Sequence, residues 1–442
     1  MFVSASEIND GELQAICDKS YCSDDFDDEA FIPVKKLGSA FIAELFHGPT
    51  FCFKDLGMRG VINILSHFSF LRKRKVTILV ATTGDTGPAA VSAVSDAANP
   101  LLSLVVHYPK GQISDFQRRS LTTVESPFVK IVCFEGGGDD MDWPIKQTLL
   151  ENNDNEGKRT FVGINSYNIG RPLLQMVHFI WIYLRMAEHL GIVPGDKDHT
   201  IDMVIPTGAM GNLTGGYMAK QMGIPIGKLC AGVNINDITH RVIESGEFHR
   251  KRIKKTLSDA INIEVPYNFE RIAYYVTGCN SVLIKGWMTE MESTQQLTIE
   301  KEWHEKLKLD FCSARVTDDQ LCEALRLVSD KLDYVSDPHT AVAMSAALQL
   351  GYEFIEMSLE GMMPVVIVAT ASPCKFQEQM TVALGVEGWK SWEANKFPAG
   401  ACKILDANEV EPYYFPQIDG VLLSEVQSKW RQSMLDIVHT HL

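Results

Sequence analysis

The chain lacks a sustained basic stripe, paired cysteines and any apolar run long enough to cross a bilayer. Its 442 residues carry 41 Lys and Arg against 56 Asp and Glu, a formal charge of −15. Binding to nucleic acid or an anionic membrane draws on clustered cations that release counterions, so neither partner is expected. The one dense basic cluster, Arg72-Lys73-Arg74-Lys75, stands just before an apolar run and reads as a solvated helix end. The ten cysteines form no C-x-x-C pair, and Cys133 and Cys230 lie inside apolar segments. That usage argues against a disulfide framework or a zinc site and fits a cytoplasmic protein. The opening MFVSASEIND shows no charged stretch leading into an apolar one, so no secretory signal is expected. The longest apolar run, PLLQMVHFIWIYL, is too short for a bilayer and contains His178; a buried helix is expected.

Common catalytic signatures are missing too. No glycine loop ends in Gly-Lys-Ser/Thr or keeps the G-x-G-x-x-G spacing, which leaves ATP and dinucleotides poorly supported. There is no G-x-S-x-G elbow and no histidine pair four apart with a glutamate, so serine-hydrolase and metal chemistry lose their usual carriers and no metal is expected. His47 reads as a turn partner, His178 as a core residue and His339 as a satisfied helix-start residue.

What is present is a globular composition, 45% hydrophobic and 22% charged, on a length that implies about two or three domains. Apolar runs recur: VTILVAT, LLSLVVHYP, FVKIVCFEG, TFVGINS, IDMVIPT, KLCAGVNI and MPVVIVAT. Each is apolar on both faces, as buried parallel strands are. Helical spacing separates them, which predicts a doubly wound α/β architecture. From Glu290 to Gln349 the pattern is mostly helical and no second sheet is invoked. Thr317 and Gln320 form a capping box, Asp337-Pro338 opens the next helix, Tyr352 to Leu359 reads as helical, and LLSEVQSKWRQSMLDIV as a terminal helix.

Several stretches carry chemistry. In HGPTFCFKD, Lys54 ends an apolar lead-in, where a charged amine is costly to bury. It is either an ordinary surface lysine or an amine kept neutral for reaction. TTGDTG, Thr82 to Gly87, joins a strand to a helix start whose N–H groups suit an anion, with hydroxyls from Thr83 and Thr86. PTGAMGNLTGG, Pro206 to Gly216, suits a single phosphate on a small molecule; FEGGGDD reads as a turn with an N-cap. Lys110, Ser114, Gln117 and Arg118 form one cationic and hydroxyl-rich group, and Ser166, Asn168 and Arg171 another. Each fits either a phosphate or carboxylate, or an exposed helix start.

These stretches recur in a telling order: HGPTFCFKD, ATTGDTGPAA, YPKGQISDFQ, NSYNIGR, IPTGAMGNLTGG, VNINDI, VPYNFERI, DPHTAVA and ATASPCKF. Together they resemble the threonine synthase family of fold-type II pyridoxal-phosphate enzymes, and within it a threonine synthase-like branch, over roughly residues 41–376. The resemblance implies an α/β fold of two open twisted sheets flanked by helices, with the active site in the interdomain cleft. It implies residues 1–62 as the N-terminal part of a large domain, 63–164 as a smaller domain and 165–442 as the rest of the large one. Lys54 matches the lysine that bonds to pyridoxal 5'-phosphate. Gly208, Ala209, Met210, Gly211 and Asn212 match the cofactor-phosphate loop, and Thr370 the partner of the pyridine nitrogen. Thr83, Gly84, Asp85, Thr86 and Gly87 match the loop at the substrate carboxylate and cofactor ring. Lys110, Ser166, Asn168 and Arg171 match positions for the substrate phosphate.

The implied substrate is O-phosphohomoserine, a small anionic amino-acid phosphate ester, and the implied assembly a monomer or homodimer. Phosphate loss would leave 2-oxobutyrate, which the branch favours, or threonine. Thr83 replaces the usual serine, Met210 an aromatic, and Pro172 a branched apolar residue. The family's STRG and DGGL motifs are missing, so a shortened N-terminal segment is expected. A dehydratase or β-synthase of the same fold, and a non-catalytic binding protein, are the rival readings.

Overall fold

A computed structural model describes residues 4–151, 159–356 and 362–442. Thirteen strands lie among them. They are β1 (Val34–Leu37), β2 (Ala40–Glu44), β3 (Lys75–Ala81), β4 (Leu102–Pro109), β5 (Val129–Phe134), β6 (Arg159–Gly163) and β7 (Ile201–Pro206), followed by β8 (Ile226–Val233), β9 (Glu247–His249), β10 (Gln296–Thr298), β11 (Phe311–Arg315), β12 (Val365–Ala369) and β13 (Tyr413–Phe415). Two compact units result: residues 1–31, 48–171 and 398–442 form one, and 32–47 with 172–397 the other. The expected break after residue 62 falls inside the helix Lys54–Arg72, whose hydrogen-bonded turns keep it whole.

The first unit is built on a five-stranded parallel sheet ordered β13-β5-β4-β3-β6. All of β4 is buried and all of β3 except Lys75, which is why their sequences run apolar without alternation. The terminal helix Leu423–His441 covers one side. Its Val426, Trp430, Met434 and Val438 recur every four residues and pack with Leu79, Val132, Phe134 and Phe161. Arg59, almost fully buried on the helix Lys54–Arg72, donates to Ser20 O at 2.8 Å and pairs with Asp96 at 2.7 Å and with Asp25. It thereby ties the N-terminal helix Asp10–Ser20 to the helices that follow. Of the 72–75 cluster, exposed Arg72 ends the helix, Lys73 caps it left-handed at φ 49°, Arg74 is half-buried, and Lys75 already opens β3.

The second unit holds a six-stranded sheet ordered β1-β2-β12-β7-β8-β11, parallel except for β1. The helix Pro338–Gln349 lies against it. A Cβ on Gly232 of β8 would sit 3.1 Å from Ala343 Cα, so small residues set that approach. The Thr317–Gln320 capping box and the Asp337 N-cap with Pro338 at the first helical position are present as expected.

Two expectations change. Phe311–Arg315, inside the stretch read as helical, is the edge strand β11, and β9 pairs with β10 in a separate ribbon. Tyr352 to Glu356 is not helical. Phe354 O accepts from Ser39 N at 3.0 Å, and this bond holds the segment open against the β1–β2 turn. Residues 357–359 of that expected helix lie outside the described residues.

Candidate functional site

In a parallel sheet every crossover returns the chain in the same direction, so the loops after the strands gather at one carboxyl edge. In the first unit this edge collects TTGDTG after β3, PKGQIS after β4, FEGGGDD after β5 and INSYN after β6. Thr82 Oγ1 holds the first loop by accepting from Gly84 N at 3.1 Å and Gly87 N at 3.0 Å. Gly84 lies at φ 140°, and a Cβ there would meet the Gln117 amide at 2.2 Å. Asp85, 5% exposed, precedes the helix Thr86–Ala97, with Thr83 exposed beside it.

Lys54 opens its helix with a side chain 16% exposed, its Nζ 3.6 Å from Asp85 Oδ2. The apolar lead-in is as expected: Phe51 and Cys52 are buried. Phe51 takes φ 56°, a strained conformation for a bulky residue. Asp55 stabilises that turn, its two carboxylate oxygens accepting from Thr50 N at 2.8 Å and Thr50 Oγ1 at 2.6 Å. A Cβ at Gly48 would stand 2.7 Å from the same carboxylate, so the motif needs glycine there. On the other side Asp85 Oδ1 accepts from Gln117 Nε2 at 3.0 Å, while Gln117 Oε1 accepts from Ser114 N in a capping box. A continuous polar chain thus runs Ser114–Gln117–Asp85–Lys54.

The residues matched to a substrate phosphate divide. Lys110 is exposed but engaged by Glu135 at 3.1 Å and the Tyr414 hydroxyl at 3.0 Å. Ser166 and Asn168 are half-buried, and Asn168 closes its own loop through Gly163 O and Gly170 N. Arg171 is 3% exposed and donates to Ile164 O at 3.0 Å; its Nε is buried with no hydrogen-bond partner among the described residues. Burial pulls this guanidinium down to about 10. Lys110 and Arg171 follow β4 and β6, with β3 and its glycine loop between them.

The second unit gathers its own loops at the carboxyl edge of its sheet. Thr370 follows β12, and the glycine loop 208–212 follows the neighbouring β7. Met210 is left-handed at φ 59°, and no side chain caps the helix Gly211–Gln221 that begins after it. The first-turn N–H groups, which no residue of the same helix can accept from, and the helix dipole favour an anion at such an end. Gly208 is pressed onto the 259–263 segment, where a Cβ would stand 2.9 Å from Ile261 Cα. Asn212 is buried, accepts from His178 Nε2 at 2.8 Å, and leaves Nδ2 without a partner among the described residues. Burial pushes His178 down to about 4, against the Asn212 hydrogen bond, so the ring is neutral. Thr370 N donates to Thr340 Oγ1 at 3.2 Å, and Thr340 is tied to the buried Asp337. Among the described residues no group of three or more His, Cys, Asp or Glu is placed to hold a metal, and no helix is long and apolar enough to cross a membrane.

Three supporting residues were not assigned from sequence. Asn268, in VPYNFERI, donates to Ala209 O through Nδ2 at 2.9 Å and its own N–H at 3.3 Å. Asn234 and Asn236 brace the segment that packs on Gly208, donating to Asn262 Oδ1 at 2.7 and 2.9 Å. Their one sequence signal was position inside motifs that had an order but no roles.

No family model matches the chain. Threonine synthase-like 2 from Homo sapiens is 33% identical over 385 residues, 87% of this chain and 77% of that protein. Threonine synthase from Pseudomonas aeruginosa is 30% identical over 381 residues, 86% of this chain and 77% of the other. Among solved structures, the pyridoxal-phosphate-bound threonine synthase from Brucella melitensis superposes with a TM-score of 0.81 at 27% identity, covering 97% of this chain and 85% of its own. Sequence likeness over most of both proteins and a shared fold-type II architecture agree with the ordered motifs: the chain belongs to the threonine synthase family.

Proposed function

We propose that the chain is a pyridoxal-phosphate-dependent carbon–oxygen lyase acting on a phosphate ester, which eliminates phosphate from O-phosphohomoserine to give 2-oxobutyrate. The carrying observation is the glycine loop 208–212. It offers an uncapped helix start and a buried amide, Asn212 Nδ2, with no partner among the described residues, so its donor set fits a phosphate monoester such as the cofactor's. Thr370 would face the cofactor's pyridine nitrogen. When bound, the cofactor serves as the electron sink for carbanion chemistry at the amino acid.

The chain's own groups supply the rest. Lys54 would supply the amine that holds the cofactor, and the same amine would move protons at Cα and Cβ of the substrate. Asp85, fixed by Gln117, orients that amine. The loop 83–87, whose Gly84 and Gly87 N–H groups are held by Thr82, takes the substrate carboxylate with its remaining donors, and Lys110, Ser166, Asn168 and Arg171 supply the cationic and polar side for its phosphate. The overall balance is O-phosphohomoserine plus water to 2-oxobutyrate, ammonia and phosphate. The likeness to threonine synthases favours a second reading, in which water adds at Cβ and threonine leaves with phosphate. The ten free thiols fit a reducing, cytoplasmic location for either.

The test is incubation with O-phosphohomoserine and pyridoxal phosphate, measuring phosphate, 2-oxobutyrate and threonine together. Phosphate with oxobutyrate supports the lyase, phosphate with threonine the synthase, and absence of phosphate rejects both. Borohydride should fix the cofactor on the peptide carrying Lys54. Protein that stays colourless after reconstitution would leave only the binding-protein reading.

A further inference from the structure

The second unit carries two thiols outside the residues assigned above. Cys230 on β8 and Cys312 on β11 are register partners in a parallel pair. Such neighbours project to the same face with backbones about 4.8 Å apart, within the roughly 4.4–6.8 Å that a disulfide spans between Cα atoms. Their Sγ atoms stand 3.0 Å apart, inside the ~3.5–4.0 Å of ordinary nonbonded contact. The two differ in access. β11 is the edge strand, Cys312 is half-buried there, and Cys230 is buried behind it. The hydrogen bond with Cys230 lowers the Cys312 thiol below its ordinary range, burial opposes this, and the Lys228 ammonium adds to the lowering. Cys230 is pushed up by the same hydrogen bond and by burial. In the reduced pair Cys312 Sγ donates to Cys230 Sγ; with Lys228 and solvent on its side, Cys312 is the sulfur that an oxidant meets first. The Tyr352 hydroxyl, 3.6 Å from Cys230 Sγ, donates to Asp202 at 2.7 Å and closes the inner side.

We propose that Cys230 and Cys312 form a dithiol–disulfide site, with Cys312 as the attacking thiol and Cys230 as the resolving one, oxidised by a low-molecular-weight disulfide such as oxidised glutathione. The Cys312 thiolate attacks one sulfur of the oxidant, forms a mixed disulfide and expels a thiolate, which takes up the proton Cys312 lost. Cys230 then gives up its proton and attacks the Cys312 sulfur. The internal S–S bond forms, and the second small thiol leaves with that proton. Two electrons pass from the protein, and one disulfide becomes two thiols. The product would join the edge strand covalently to its neighbour.

The full-length protein, incubated with oxidised glutathione and then denatured, should show a fall in titratable thiols from ten to eight. A peptide map without reductant should link Cys230 to Cys312, and dithiothreitol should restore all ten. Cys230→Ser should stop at a glutathione adduct on Cys312; Cys312→Ser should give neither that adduct nor the link. Ten thiols surviving in the unaltered protein, a lasting glutathione adduct on Cys312 without the link, or a link between other cysteines would each overturn the assignment. The unaltered protein decides the question even where a variant folds poorly.

Discussion

Asn268→Asp tests whether the glycine loop 208–212, proposed to hold the cofactor phosphate, is held from behind. Asn268 is wholly buried and serves two directions. Its Nδ2 donates to Ala209 O at 2.9 Å, and its Oδ1 accepts from Arg271 Nη1 at 3.0 Å. The substitution keeps the shape and strengthens the Arg271 side into an ion pair. On the loop side it replaces a donor with an acceptor, so a carboxylate oxygen faces the Ala209 carbonyl. Ala209 O then keeps only the longer 3.3 Å bond from the backbone N–H of residue 268. Losing one buried hydrogen bond costs about 0.5–1.5 kcal/mol net, and an unsatisfied buried group adds about 1–3 kcal/mol. Local relaxation recovers part of this, which leaves ~1.5–3 kcal/mol at the loop, or roughly a 10- to 150-fold weaker cofactor affinity. Titration of apoprotein with pyridoxal phosphate, followed by absorbance, reads the affinity, and the thermal midpoint reads the fold. Unchanged affinity would refute the argument. So would a loss of affinity only in step with a collapse of the midpoint, because the role would then be general stability.

Gly208→Ala should act at the same loop by overpacking, since its Cβ would stand 2.9 Å from backbone Ile261 Cα; a cost of about 1–3 kcal/mol should appear as weaker cofactor retention on gel filtration. Gln117→Glu should keep the Ser114 cap but set a carboxylate against Asp85, where the amide now donates at 3.0 Å. Turnover should fall at least about tenfold with the circular dichroism unchanged, and full activity would remove Gln117 from the positioning of Asp85. Burial pushes both His107 and His178 down to about 4, against hydrogen bonds to Val80 O and Asn212. The unfolded chain, with imidazoles near 6.5, therefore binds protons first. The contribution of these two histidines should be full above about pH 6.5 and fall by ~1.4 kcal/mol per pH unit per histidine down to about pH 4. Urea unfolding from about pH 7 to about pH 5 checks this, and a flat response contradicts it.

The central strands were legible because burial on both faces leaves no alternation to misread. β11 was not: Phe-Cys-Ser-Ala-Arg has no β-branched residue, and its place at the sheet edge leaves Arg315 exposed. Tyr352 to Glu356, the described part of the expected helix, misled for the opposite reason. Its apolar spacing suits a helix, but the Phe354 carbonyl is taken by Ser39, more than three hundred residues earlier in the chain. At the site the split is similar. Lys54, TTGDTG and the glycine loop stood out because the proposed chemistry calls for those residue types in those places. Their supports could not, since the Asp85–Gln117, His178–Asn212 and Asn268–Ala209 contacts join residues 32, 34 and 59 positions apart. An amide in a sequence announces two donors and an acceptor but not the group each one meets.

Those supports share a pattern that leads to one more test. Gln117 and Asn268 each turn the amide oxygen to an obligate donor of the scaffold, Ser114 N–H and the Arg271 guanidinium, and so must turn the NH2 toward the functional loop. Asn212 follows the same plan only if His178 carries its proton on Nε2. In that tautomer Nε2–H donates to Oδ1, and Nδ2 is left as the free donor that a phosphate needs. With the proton on Nδ1 instead, the amide would reverse and set an oxygen against the anion. Neither His178 Nδ1 nor Asn212 Nδ2 has another partner among the described residues, so a phosphate bound as proposed would itself select the tautomer. Nitrogen-15 shifts of labelled histidine in cofactor-loaded protein should therefore show neutral His178 protonated on Nε2. The Nδ1 tautomer in the loaded protein would mean that Asn212 does not contact the phosphate. His178→Gln, whose amide can still donate to Oδ1, should retain more cofactor than His178→Leu, which leaves the Asn212 amide free to reverse.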